Sequence, residues 1–71
     1  MITLKEALAL TQLMEDDAVY IRKEGSSKGQ AFPCGELTHR FDPDKTMVTA
    51  ITPRFNKEYE FLCLCFETKE Q

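Results

Sequence analysis

The sequence predicts an α+β domain in which an N-terminal amphipathic helix packs on one face of a mainly antiparallel four-stranded sheet. Three observations predict it. Residues 3–16 repeat apolar side chains at helical spacing. From Ala18 onward the apolar period falls to two. Short clusters of glycine, proline, serine and aspartate separate the alternating segments, as turns do. With 71 residues, 42% hydrophobic and 30% charged, the chain has the balance of one folded unit spanning residues 1–71. A domain of this size buries only about 60% of the surface of its unfolded chain, which argues against a deep enclosed active site.

Each element has a local cause. Thr3-Leu4-Lys5-Glu6 has the spacing of a capping box, in which hydroxyl and carboxylate satisfy unpaired amides at a helix start. Leu4, Ala7, Leu8, Leu10 and Met14 then fall on one stripe with Leu13 at its edge, while Lys5, Gln12 and Asp16 lie opposite. The acidic run Glu15-Asp16-Asp17 opposes the helix dipole, so the expected helix spans residues 3–16. Val19 and Ile21 alternate with Tyr20 and Arg22 in a first strand, and the polar stretch from Gly25 to Gly29 turns the chain back. Phe32-Pro33-Cys34-Gly35 is irregular, after which Leu37, His39 and Phe41 alternate with Thr38 and Arg40 in an expected second, interrupted strand. Asp42-Pro43-Asp44-Lys45 reads as a type I turn joining two antiparallel strands. Residues 46–52 form the third strand, and Pro53 and Asn56 mark residues 53–57 as a connection. In the fourth, residues 58–67, Tyr59, Phe61, Cys63 and Cys65 point one way and Leu62, Leu64 and Phe66 the other.

A closing strand with two apolar faces sets a geometric problem. The expected helix is roughly 21 Å long and covers one face of a small sheet, not both. Burying each large side chain left on the other face would contribute about 1.5 to 3 kcal/mol. Two outcomes stay open. The uncovered set forms a homodimer or protein-partner surface, with Leu62, Leu64 and Phe66 as the contact residues. Alternatively, long polar side chains such as Arg22, Arg40 and Lys57 lie over it.

Charge and cysteine usage narrow the partners. Nine Lys and Arg against twelve Asp and Glu give a net charge of -3, and the basic residues are dispersed, so nucleic acid is an unfavoured partner. Three cysteines cannot all pair within one chain, which fits reduced thiols and a cytoplasmic location. Lys5 and Glu6 sit within the opening apolar stretch, unlike the order of a signal peptide. The longest apolar run, Phe61 to Phe66, is far shorter than the roughly 20 residues of a membrane-spanning helix.

The chemical constellations are weak. Cys34, His39, Cys63 and Cys65 supply the ligand count of a Cys3His zinc site. However, Cys63-x-Cys65 lacks the tight turn of a zinc knuckle, and both thiols read better as small buried apolar groups. No metal or other cofactor is therefore assigned. Cys34 and His39, with Glu36 behind, could make a thiolate and base, but in an extended segment 34 and 39 face apart. No oxyanion site accompanies them, and the expectation is a protein that is not an enzyme. Gly25-x3-Gly29 with Lys28 lacks phosphate-loop spacing, and Asp42-x-Asp44 reads as a turn rather than a calcium loop. Tyr20, Phe32, Phe41, Phe55, Tyr59, Phe61 and Phe66 could stack bases, but without a basic surround they read as core.

The run from Ala31 to Leu37 (AFPCGEL), the opening from Ile2 to Leu8 and the closing stretch from Tyr59 to Cys65 together resemble small uncharacterised accessory proteins of conjugative elements in anaerobic Firmicutes. The resemblance implies a cytoplasmic, mobile-element setting and no catalytic or binding residue. The sequence therefore leads to a small non-enzymatic interaction or accessory module that self-associates or binds a protein through an apolar sheet face. The alternatives are a nucleic-acid accessory protein, suggested by that setting and the pair Arg22-Lys23, and a small protein with a structural zinc.

Overall fold

The chain folds as a mixed α+β domain, and its structure, a computed structural model, describes residues 1–57 and 60–70. Strand β1 (Ile2–Thr3) leads directly into helix α1 (Leu4–Thr11), followed by β2 (Ala18–Lys23) and β3 (Gly29–Pro33). A 3₁₀ turn (Cys34–Glu36) runs into the short helix α2 (Leu37–Arg40), and β4 (Thr46–Asn56) and β5 (Phe61–Glu70) close the fold. The sheet has five strands in the order β1-β4-β5-β2-β3, not four. Every neighbouring pair is antiparallel except β2 and β5, which run parallel from Val19↔Leu64 to Lys23↔Thr68.

Helix α1 begins where the capping box places it. The Glu6 amide donates to the Thr3 hydroxyl at 3.1 Å, and the Thr3 amide donates to the Glu6 carboxylate at 3.2 Å. It ends at Thr11, short of the expected residue 16, for local reasons. Gln12 takes a left-handed conformation (φ 52°), and the Thr11 hydroxyl donates back to the Ala7 carbonyl at 2.9 Å. The Asp17 carboxylate then accepts the Met14 amide at 2.8 Å, so the acidic run folds as a turn. That turn is pinned to the next layer: Cys34 N–H donates to the Asp17 carbonyl at 2.7 Å, and Gly35 N–H to the Glu15 carbonyl at 2.9 Å.

The expected second strand is the largest correction. Leu37, Thr38, His39 and Arg40 form α2, and the strand that pairs with β2 is Gly29–Pro33. The polar connection after β2 is residues 24–28, and Gly29, expected within it, begins the return strand. A Cβ there would lie 2.2 Å from the Ile21 carbonyl oxygen, so only glycine fits this close approach of β3 to β2. Helical spacing brings Leu37 into the core and leaves His39 exposed. The Asp42–Lys45 turn exists, with the Asp42 carboxylate accepting the Asp44 amide at 3.0 Å, but it joins α2 to β4 rather than two strands.

β4 also runs four residues beyond the expected Thr52, to Asn56. Pro53 is tolerated inside it because β1 covers β4 only at Met47 and Val48, leaving the rest of its outer side without a neighbouring strand. Glu58 and Tyr59, with which the fourth strand was expected to open, lie outside the described residues.

One face of the sheet carries the core. Leu4 and Ala7 of α1 and Leu37 of α2 pack with Val19, Ile21, Val48 and Phe66 from the strands. Register explains the membership: Ile21 lies opposite Phe66 across the parallel pair, and Val48 opposite Thr68 across the antiparallel one. A bulge between Val48 and Ala50 resets the alternation, so Ile51, Pro53 and Phe55 follow Val48 onto the helix side.

Candidate functional site

The surface that stands out is the far end of the β4–β5 hairpin. β4 and β5 stay paired as far as Asn56↔Phe61, whereas β2 accompanies β5 only from Leu64 onward. The hairpin therefore projects beyond the rest of the sheet. α1 has 8 residues, which makes it about 12 Å long, and it lies over the root of the hairpin. Beyond its reach, the helix-side face carries Phe55 and Leu62 at 55% and 72% exposure, directly opposite each other, and Ile51, opposite Phe66 farther back on the bare margin of β4, is 38% exposed. Pro53 is exposed beside them, and half-buried Leu64 packs between this strip and the core.

The residues expected at an uncovered face divide along this gradient. Leu62 is open to solvent, Leu64 is half-buried, and Phe66 is fully buried at the centre of the core. The correction is one of side. Leu62, Leu64 and Phe66 share the face on which the helices pack, and Leu62 lies beyond the packed core. Phe66 is unavailable to a partner. Ile51 and Phe55 join the strip instead. Sequence reasoning placed Phe55 in a loop because Pro53 and Asn56 are turn formers, although the apolar alternation Ile51, Pro53, Phe55 was its signal.

Among the described residues no helix covers the opposite face of the sheet, and polar side chains occupy it. Arg22 donates to the Glu67 carboxylate at 2.6 Å and to the Ser26 carbonyl at 2.9 Å. The Thr49 hydroxyl reaches Glu67 at 3.2 Å. The Arg54 guanidinium lies 3.9 Å above the Tyr20 ring, a cation–π stack. Beneath them Cys65 is buried. Arg22 thus lies on this face as the polar-cover alternative requires. Arg40 does not; it sits 5.6 Å from the Phe32 ring, a partly buried side chain packed against the core on the helix side. Lys57 lines a recess of about 340 Å³ with Tyr20, Arg54, Phe61 and Cys63.

The thiols do not converge. Cys34 packs against the core on the helix side, whereas Cys65 lies across from Tyr20 and Thr52 on the opposite face, with Cys63 two residues along the same strand. Among the described residues no group of three or more His, Cys, Asp or Glu side chains is placed to hold a metal ion. Burial, and then the Asp17 carboxylate, push the Cys34 thiol above its ordinary value, the reverse of what a nucleophilic thiolate needs. Among the described residues no helix is long and apolar enough to cross a membrane.

Comparison with known proteins returned no match: no family model, curated protein or solved structure is significantly similar to this chain. Its surface is read from its own geometry.

Proposed function

We propose that this chain is a small non-enzymatic interaction module that contacts a second copy of itself, or another protein, through the projecting end of the β4–β5 hairpin. One observation carries the reading. Phe55 and Leu62, with Ile51 behind them on β4, form an exposed apolar strip on one side of two paired strands, and the other exposed large side chains, Met1, Leu10, Met14 and Phe61, lie off that strip. The outer side of β4 past Val48 adds unpaired backbone groups next to that strip, and Pro53 interrupts them, which favours contact through the face over simple strand addition. Sedimentation over a wide range of protein concentration tests self-association. An oligomer that Leu62→Glu and Phe55→Glu return to monomer, with an unchanged circular dichroism spectrum, supports the reading; a wild-type monomer that captures no protein through this strip sinks it.

A second reading has its own observation. Residues 1–17 and 34–45 hold seven of the twelve carboxylates and three of the nine Lys and Arg, a net of -4, which leaves the remaining, mostly sheet, residues at +1. On the face without a helix, Tyr20, Arg54, Lys57 and Phe61 bring rings and cations together, the ingredients of a base-stacking platform. A nucleic-acid accessory role, in the mobile-element setting that the resemblance implies, follows from it. Fluorescence anisotropy with a labelled single-stranded oligonucleotide decides: binding that weakens steeply with salt and is lost in Arg54→Gln favours this role.

A further inference from the structure

The helix side of the sheet has a second uncovered margin, at β2 and β3, and it differs in kind from the hairpin end. There a groove of about 550 Å³ opens between the β2–β3 connection and Phe41, the residue that follows α2. Its apolar wall is built, not incidental. The Phe32 and Phe41 rings meet edge to face at 5.7 Å, and both pack against the core beside buried Ile21. Lys23 and Lys28 stand around this apolar floor, Lys69 lines it from the end of β5 where Glu67's face meets the groove, and among the described residues its single carboxylate is Glu24. Among the described residues none of the three lysines has a carboxylate partner; the ion pairs formed are Arg22–Glu67 and Arg40–Glu36. Three unneutralised cations around one groove, in a chain of net charge -3, are a local reversal of the protein's overall sign.

We infer that this groove binds a small anionic amphiphile, a compact apolar body such as a naphthalene ring or a medium-length alkyl chain ending in a carboxylate or sulfonate. The volume falls in the range of small-molecule sites, about 300 to 1,000 Å³. The apolar wall takes the body of the ligand. Lysine ammonium groups on flexible stems meet a compact anion without demanding one fixed geometry. The site is distinct from the hairpin strip, lies at the other margin of the sheet, and does not rest on the interaction reading.

The test is a titration of the full chain with the fluorescent anion anilinonaphthalene sulfonate, followed by competition with decanoate and with its neutral counterpart decanol. Saturable binding at one site, displaced by decanoate and not by decanol, is the expected result. The exposed triple variant K23Q/K28Q/K69Q loosens binding by about tenfold or more. Gln30→Trp, which places a large ring in the groove from an exposed position, abolishes it; both variants keep the wild-type circular dichroism spectrum. Three results each overturn the inference: an unchanged affinity in the triple variant, displacement by decanol as effective as by decanoate, or loss of the dye in Leu62→Glu with retention in Gln30→Trp. The last result would move the dye to the hairpin end and leave the interaction reading standing.

Discussion

The root and the far end of the β4–β5 hairpin are made of the same two strands and similar side chains, yet their fates differ. At the root Val48 and Phe66 are sealed beneath α1; at the end Phe55 and Leu62, on the same face of the same ladder, stand in solvent. Nothing in the hydrophobicity of these residues separates them. The difference lies overhead, in a helix stopped at Thr11 by a left-handed Gln12 and an aspartate that takes the Met14 amide. Burial is thus set by the reach of a neighbouring element, and an apolar alternation alone marks a face without saying whether it is roofed.

The largest effect expected is on the roofed half. Phe66→Ala should cost about 3 to 5 kcal/mol in urea denaturation, while Phe55→Ala should stay within about 0.5 kcal/mol. Equal losses at the two positions would erase the contrast. Leu64 sits on the boundary, and a charge there serves as a gauge: Leu64→Glu should lose about 1 to 3 kcal/mol and also weaken self-association, whereas Leu62→Glu should change only the association. If the two behave alike, the boundary is misplaced. On the face without a helix the stakes are smaller. Arg54→Ala should cost about 0.5 to 1 kcal/mol, and a double-mutant cycle with Tyr20→Leu should recover most of it as coupling.

The smallest effect is on the titration of Cys34. Burial and Asp17 raise its folded pKa above the unfolded one. The folded state therefore holds the thiol proton more tightly. Its contribution to stability is complete below the unfolded value, about 8.5, and fades as pH climbs through the folded one. Chemical denaturation at rising alkaline pH should show this decline, and Cys34→Ser should flatten it. Alkylation at mildly alkaline pH should also modify Cys63 before Cys34, and the opposite order would place Cys34 in a more open setting than its packing indicates.

Much of the fold was legible from local chemistry. The capping box at Thr3 and Glu6 and the alternation from Val19 to Arg22 appear where the residue pattern puts them, and the long apolar closing strand forms at Phe61–Glu70 rather than at the expected residues 58–67. The failures share a cause: a local signal with two readings that only tertiary packing decides. Leu37-Thr38-His39-Arg40-Phe41 alternates like a strand, but the backbone of residues 15–17 binds the amides of Cys34 and Gly35 and starts a helical turn there. Pro53 reads as a strand breaker until the sheet order leaves β4 without a neighbour on that side. The bulge at Thr49, which decides that Ile51 and Phe55 rather than Arg54 face the helix side, leaves no mark in composition. The candidate site was half legible for that reason, with Leu62 expected and its cross-strand partner Phe55 hidden in a supposed loop.

The parallel seam between β2 and β5 also governs when this architecture can exist. β5 is the strand that joins the β1-β4 half to the β2-β3 half, so the two halves of the sheet meet only through it. Closing that seam ties Val19 to Leu64, a long loop whose entropy must be lost before any cross-sheet packing is gained. On the ribosome the nascent chain would carry a β2–β3 hairpin and a loose helix side by side with nothing to couple them. The two halves therefore dock in one late concerted step, and the interval before it is when the chain is most open to chaperones and proteases.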